Sequence, residues 1–208
     1  MKSLPRITGL TLRQKYCVAV ARSSARYRWE DAKAFVRKGL LGDRLGRKFF
    51  CEMVIHLSLL LGFPVMLELL EFVSNIGKEK RSHQAASRRS YRITGLRLLR
   101  RIYGNQTEKL LENLGRLQPE LPHWIVEDVY GKVFSRAGLT LAEREILNST
   151  VLAVQGLERQ LYSHVRGMLR VGLQPVVVES ILRSVSRSSR KKEHRYVSLV
   201  KALATQRR

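Results

Sequence analysis

Two residues of this 208-residue chain have the types and spacing for acid–base chemistry: Glu145 and His164, nineteen positions apart. A carboxylate beside an imidazole holds its tautomer and favours its charged form, as proton transfer requires. Gln155-Gly156 reads as the break between the two helices that carry them. At about 1.5 Å rise per residue, the pair lie roughly 16 and 12 Å from that break. Helices folded back on each other would therefore bring the two side chains within about one turn. The same spacing also suits a core histidine and a solvated helix charge. No CxxC pair and no Cys/His cluster with zinc spacing occurs, so the residues suggest neither metal nor cofactor.

The elements that must position this pair read as helical throughout. Apolar residues recur with helical period, few runs alternate, and the expected fold class is all-α. Helices are expected at about 11–26, 30–40, 47–61, 64–76, 92–103, 106–116, 121–133, 140–155, 157–171, 175–187 and 193–205. Thr140 with Glu143 three positions on has the form of a capping box, and Thr11 with Gln14 is a weaker version of it. Pro175 suits the first turn of a helix. The apolar run Met53–Leu67 is about 15 residues, short of the roughly 18–20 that span a bilayer. It contains His56 and a Gly62-Phe63-Pro64 break, so it reads as a buried core helix followed by a second helix, without a membrane role.

The chain also repeats itself. Gly9-Leu10-Thr11-Leu12 recurs as Gly138-Leu139-Thr140-Leu141, an offset of 129. Val36-Arg37 and Leu40 match Val165-Arg166 and Leu169 at that same offset, and Glu52 matches Glu179 with a two-residue gap. The copies differ where the chemistry would be, since Tyr16 and Phe35 stand at the places of Glu145 and His164. One copy keeping a site while the other became scaffold would give this pattern. The division expected is a first, degenerate repeat at 1–76, a basic linker at 77–91, a second repeat at 92–187 and a basic C-terminal tail at 188–208.

Net charge is +22, from 39 basic and 17 acidic residues, and 44% of the chain is apolar. The apolar share supports a packed core and excludes a disordered basic tail protein. The excess comes in blocks: +10 over 1–48, +8 over 78–101 and +8 over 183–208, against −3 over 49–77 and −1 over 102–182. Such a balance suggests a polyanion partner, but no zinc finger, RNP-type aromatic motif or GxxG loop accompanies it. Cys17 and Cys51 stand 34 positions apart and read as structural thiols in a reducing, cytoplasmic setting. The N-terminus has no apolar run of the signal-peptide kind before Arg13.

The residues around Glu145 and His164 resemble a known family. The pieces are Val129-Tyr130-Gly131, Ser135-Arg136-Ala137-Gly138-Leu139, Arg144-Glu145, Ser163-His164-Val165-Arg166-Gly167-Met168-Leu169 and Gly172. In order and spacing they are similar to the carboxymuconolactone decarboxylase family, which includes the alkylhydroperoxidase D-type disulfide reductases. In the first half, Glu52-Met53-Val54-Ile55-His56 and Leu60-Leu61-Gly62-Phe63-Pro64 look like that family's E-x-x-x-H and GFP segments. The likeness covers about 8–76 and 120–187.

The resemblance implies two helical repeats and a cytoplasmic protein that removes carbon dioxide from a small carboxylated lactone of aromatic-acid breakdown. It implies His164 as general acid/base and Glu145 as its orienting partner. Arg144 and Arg166 would hold substrate carboxylates, and Tyr130 and Tyr162 would donate hydrogen bonds. It further implies a homo-oligomer, a trimer of two-repeat chains. The reductases' two cysteine places fall here at Leu157 and Gln160, so thiol peroxidase or disulfide-reductase chemistry is not expected. The second copy lacks a GFP segment, the first lacks the acid and imidazole, and the basic blocks are no family feature. Those departures leave an alternative: a catalytically silent member whose basic surface binds nucleic acid or another polyanion.

Overall fold

The computed structural model describes residues 3–76, 88–186 and 189–205, and every regular element among them is helical. They are α1 (Leu12–Ser24), α2 (Trp29–Arg37), α3 (Arg47–Asn75), α4 (Arg88–Tyr103), α5 (Thr107–Leu117), α6 (Leu121–Trp124), α7 (Leu141–Gln155), α8 (Glu158–Arg170), α9 (Pro175–Ser186) and α10 (Arg190–Thr205). Helix α2 runs on into a π-helical turn at Lys38–Gly42, and α6 into a longer π-helical stretch at Ile125–Phe134. The chain divides into two compact units, 1–77 with 138–208, and 78–137. Residues 92–137, expected with the second repeat, therefore lie in the shorter unit. Most of the basic linker, 77–87, lies outside the described residues.

The larger unit is built around α1 and α7, whose starts are alike. Both Thr11 and Thr140 cap their helices, and both capping boxes form, Gln14 and Glu143 each accepting from the N-cap backbone N–H. The glycine two residues before each cap has a left-handed backbone, φ +84 at Gly9 and +119 at Gly138, which favours glycine. Helix α7 ends at Gly156 in the αL conformation, so α8 turns back along it at the expected break.

One buried cluster joins α1, α2, α3, α7, α8, α9 and α10, centred on Tyr16, Val20, Phe50, Met53, Ile146, Leu147, Val151, Val165, Met168, Ile181 and Val200. The expected basic tail thus contributes to the core. Helix α10 buries Tyr196, Val197, Val200 and Leu203, and the Tyr196 hydroxyl donates to the Ala153 carbonyl at 3.1 Å.

Helix α3 kinks at Gly62 (φ 81, ψ 172), just before Pro64, as the Gly-Phe-Pro run predicted. Its two halves differ. Phe49, Phe50, Met53, Val54 and Leu57 are buried before the kink; beyond it Val65, Leu69 and Val73 are buried, whereas Phe63 and Leu67 are 71% and 61% exposed. The first half is the expected buried helix, and the second helix that follows it buries one face and exposes the other. By length and composition α3 is apolar enough to cross a membrane, with a window of mean hydropathy 2.0 of which 33% is buried.

The shorter unit packs α4 against the π-helical stretch through two glycines. A Cβ on Gly95 would lie 1.9 Å from the Val126 carbonyl oxygen, and one on Gly131 would lie 2.5 Å from that of Tyr91. Leu99, Ile102, Tyr103, Val126, Tyr130 and Phe134 are its buried apolar residues.

Candidate functional site

Within the larger unit, Glu145 on α7 and His164 on α8 meet as their spacing predicted. Nδ1 of His164 lies 2.8 Å from Oε2 of Glu145. Glu145 is wholly buried, and the His164 side chain is 17% exposed. Gly167, one turn along α8, makes room for the carboxylate: a Cβ there would lie 2.7 Å from Glu145 Oε2. The other carboxylate oxygen, Oε1, is buried without a hydrogen-bond partner.

Three further side chains extend the pair into a buried polar chain. Arg144 Nη1 lies 3.1 Å from His56 Nδ1, and His56 Nε2 lies 2.9 Å from Asn148 Oδ1. Asn148 Nδ2 lies 3.3 Å from His164 Nδ1. The directions follow from the groups. A guanidinium only donates, so His56 accepts at Nδ1 and carries its proton on Nε2. That proton goes to Asn148 Oδ1, which turns the amide nitrogen toward His164. Burial pushes His56 down to about 3, and the neighbouring Arg144 charge adds to the shift, so this imidazole is neutral.

At His164, one ring nitrogen faces two groups, and it cannot donate and accept at once. The carboxylate is the nearer, so Nδ1–H donates to Glu145 and the Asn148 amide is only a close neighbour. Nε2 then holds the lone pair. Among the described residues it has no hydrogen-bond partner. This is the arrangement of an oriented imidazole able to take or give a proton at Nε2.

The remaining expected residues are placed differently. Arg144 is 1% exposed and points at His56. Arg166 is half-buried on α8, and Tyr162 is 40% exposed. Each is two positions from His164, about 200° around the helix from it. Tyr162 lines a groove with His194, Tyr196 and Leu199 of α10. Tyr130 belongs to the shorter unit, where it is buried and its hydroxyl donates to that of Tyr103 at 2.9 Å.

Leu157 and Gln160 are both exposed. Cys17 is buried, which pushes its thiol well up and opposes thiolate formation, and Cys51 is half-buried. No group of three or more His, Cys, Asp or Glu among the described residues could hold a metal ion.

His56 and Asn148 were missed as site residues by the sequence reading. Asn148 could have been found, since it lies one turn beyond Glu145 on α7. His56 is 88 positions from Arg144, and its place in a mostly apolar run and in the E-x-x-x-H segment were its signals.

A second polar junction supports α7 from outside this chain. Arg13 on α1 donates from Nε and Nη2 to the Glu143 carboxylate at 2.6 and 3.0 Å, and stacks on Phe49 at 4.1 Å. Burial works against the Glu143 charge, yet Arg13 and the Thr140 N–H outweigh it and hold the carboxyl below its usual range.

Fold and site together define an all-α protein with a buried Glu–His pair that opens at the imidazole. No protein-family model matches the chain, and no curated protein sequence is significantly similar to it.

Proposed function

We propose that this is an acid–base enzyme of the carboxymuconolactone decarboxylase kind, which releases carbon dioxide from a small carboxylated lactone. One observation carries the reading: Glu145 holds the partly exposed His164 by Nδ1 at 2.8 Å, and Nε2 has no hydrogen-bond partner among the described residues. In the reaction, the bond between the lactone carbon and its carboxylate breaks. The electron pair moves into the adjacent unsaturated system, and His164, having first taken a proton from solvent at Nε2, delivers that proton to carbon and returns to the neutral ring. Glu145 steadies the imidazolium, and the buried Arg144 charge, three contacts away through His56 and Asn148, biases the region toward anions. The two capped helical pairs then descend from one repeat.

The test is turnover of a carboxylated muconolactone, followed by loss of absorbance and release of carbon dioxide. His164→Ala should lower kcat by about 10²–10⁴ while the protein stays folded. Equal rates in variant and parent would remove His164 from the chemistry. The reading also carries a homotrimer of two-repeat chains, for which the exposed Phe63 and Leu67 on α3 offer apolar surface. Sedimentation equilibrium checks it, and a monomer at micromolar concentration would exclude it.

A further inference from the structure

The fold brings together two basic blocks that the chain holds far apart. A cavity of about 370 Å³ is lined by Ser3–Ile7, Arg22, Ser180, Arg183 and Ser184. A second, of about 200 Å³, is lined by Arg22, Ser23, Arg26, Arg28, Asp31 and Phe35. Arg22 borders both, so they read as two lobes of one groove. Four of its arginines come from the first basic block, and Arg183 comes from the last. Asp31 is the one acid in the lining.

The groove has a fixed floor and unsatisfied walls. Arg22 and Arg26 reach from α1 to the last turn of α9, donating to the Ser184 and Val185 carbonyls at 3.3 and 2.8 Å. Those bonds hold two guanidiniums in place, and the Val185 bond takes one of the five donors on Arg26. Arg183 is paired with Glu193 at 2.7 Å. Arg6 and Arg28 have no acidic partner among the described residues, and both are exposed. Burial lowers the affinity of Arg26 for its proton, and the Arg28 charge lowers it further. Like charges held this close are relieved by an anion between them.

We propose that this groove binds a chain of linked phosphates, in which Arg22 serves both lobes and Arg6 and Arg28 clamp neighbouring phosphates. Planar guanidiniums in fixed positions suit phosphate oxygens, which they hold in pairs. Phe35 is the one aromatic in the lining and is buried, so no base-stacking platform accompanies the arginines. Recognition is therefore of the phosphate chain and not of bases. A nucleic-acid backbone and a free oligophosphate share that chemistry. The inference does not depend on the Glu145–His164 pair.

The test is fluorescence anisotropy of a short labelled single-stranded DNA at about 50 and about 200 mM salt, with tripolyphosphate as competitor. Parent protein should bind with a steep salt dependence. Arg6→Gln with Arg28→Gln should weaken binding about tenfold and reduce the salt slope by about 1.4, the loss expected for two single-strand contacts. Neither residue has an acidic partner to lose among the described residues, so thermal unfolding and lactone turnover should be unchanged. The control, Lys191→Gln with Lys201→Gln, removes two exposed charges outside the groove and should change affinity less than about twofold. Displacement of DNA by tripolyphosphate identifies a free phosphate chain as a ligand. DNA binding that the groove pair weakens but tripolyphosphate does not displace identifies the nucleic-acid backbone. Equal effects of the groove and control pairs, or no binding of either probe at low salt, overturns the proposal.

Discussion

The helical pair α1–α2 and the pair α7–α8 open alike and differ at their centres. Each begins with a left-handed glycine, a threonine cap and a reciprocal glutamine or glutamate. Each also needs a glycine to clear a large group further on. In the first pair, a Cβ on Gly39 would lie 2.3 Å from Phe50 Cζ and 3.0 Å from Tyr16 Cε1. In the second, Gly167 clears the Glu145 carboxylate. Tyr16 and Phe35 stand with their rings at the sequence places where the second pair has the hydrogen-bonded Glu145 and His164, and Tyr16 packs edge-on to Phe50 at 5.8 Å. The difference teaches that one scaffold can keep a polar pair buried only where neighbouring helices supply further polar partners. Helix α3 does so for the second pair, through His56. Around the first, the partners are aromatic, with Asp43 accepting from the Tyr16 hydroxyl.

The comparison breaks most sharply at His164. Giving it the residue of the first pair, His164→Phe, should lower lactone turnover about 10³-fold, since no other imidazole reaches that place. Glu145→Gln, read in the same assay, should show a smaller loss and a changed pH profile, because the ring keeps its position and loses its charged partner. A Glu145→Gln profile identical to the parent's would mean that the carboxylate does not orient the base.

Acid should then expose the buried polar chain. His56 has a folded pKa of about 3 against 6.5 unfolded, so below pH 6.5 the unfolded chain binds the extra proton and the native state does not. Stability from this group is intact above 6.5 and is lost as pH falls from there toward 3. The slope approaches about 1.4 kcal/mol per pH unit. Glu143, whose folded pKa lies below 4.5, adds a loss in the same direction at lower pH. Urea unfolding from about pH 6 to about pH 5 isolates the histidine, with a fall of about 1.2 kcal/mol expected. His56→Gln should flatten that limb, and an unchanged limb would place the proton uptake elsewhere.

The two glycines separate packing from chemistry. Alanine at either position should cost about 1–3 kcal/mol, because neither Phe50 nor Glu145 has space to yield. Gly167→Ala should also abolish turnover by displacing the carboxylate from His164. Gly39→Ala should leave turnover per folded molecule unchanged. Loss of activity in both would show that the two pairs respond as one packed unit.

What could be read from the sequence was what is set locally. The Thr140 box, the Gly156 stop and the Gly62-Phe63-Pro64 break involve residues within a turn of one another, and they appear as expected. The Glu145–His164 contact was legible because helical rise and one turn fix it. His56 and the arginine groove were not, since they depend on packing between segments 88 to 162 positions apart. The π-helical stretches gave no sequence signal either. They contain close contacts, Gly39 against Phe50 and Gly131 against Tyr91, and that is a tertiary effect.

The two capping boxes differ in burial, and the smallest effect belongs to the exposed one. Glu143 accepts from the Thr140 N–H at 2.7 Å and from two Arg13 donors, whereas Gln14 accepts from Thr11 N at 3.0 Å in an exposed setting. Glu143→Gln turns an amide N–H₂ toward a guanidinium that needs an acceptor. It should cost about 1.5–3 kcal/mol, the range for hydrogen bonds to charged groups. The reciprocal change, Gln14→Glu, places a carboxylate in the first turn of α1, which has no acid there. It should stabilise the fold by about 0.3–1 kcal/mol at low salt, through the helix dipole and the improved box. That gain should shrink as salt screens an exposed charge, whereas the Glu143 loss, being buried, should not. Urea midpoints of both variants at low and high salt decide the matter. Matching salt dependence would mean that the two boxes are electrostatically alike despite their difference in burial.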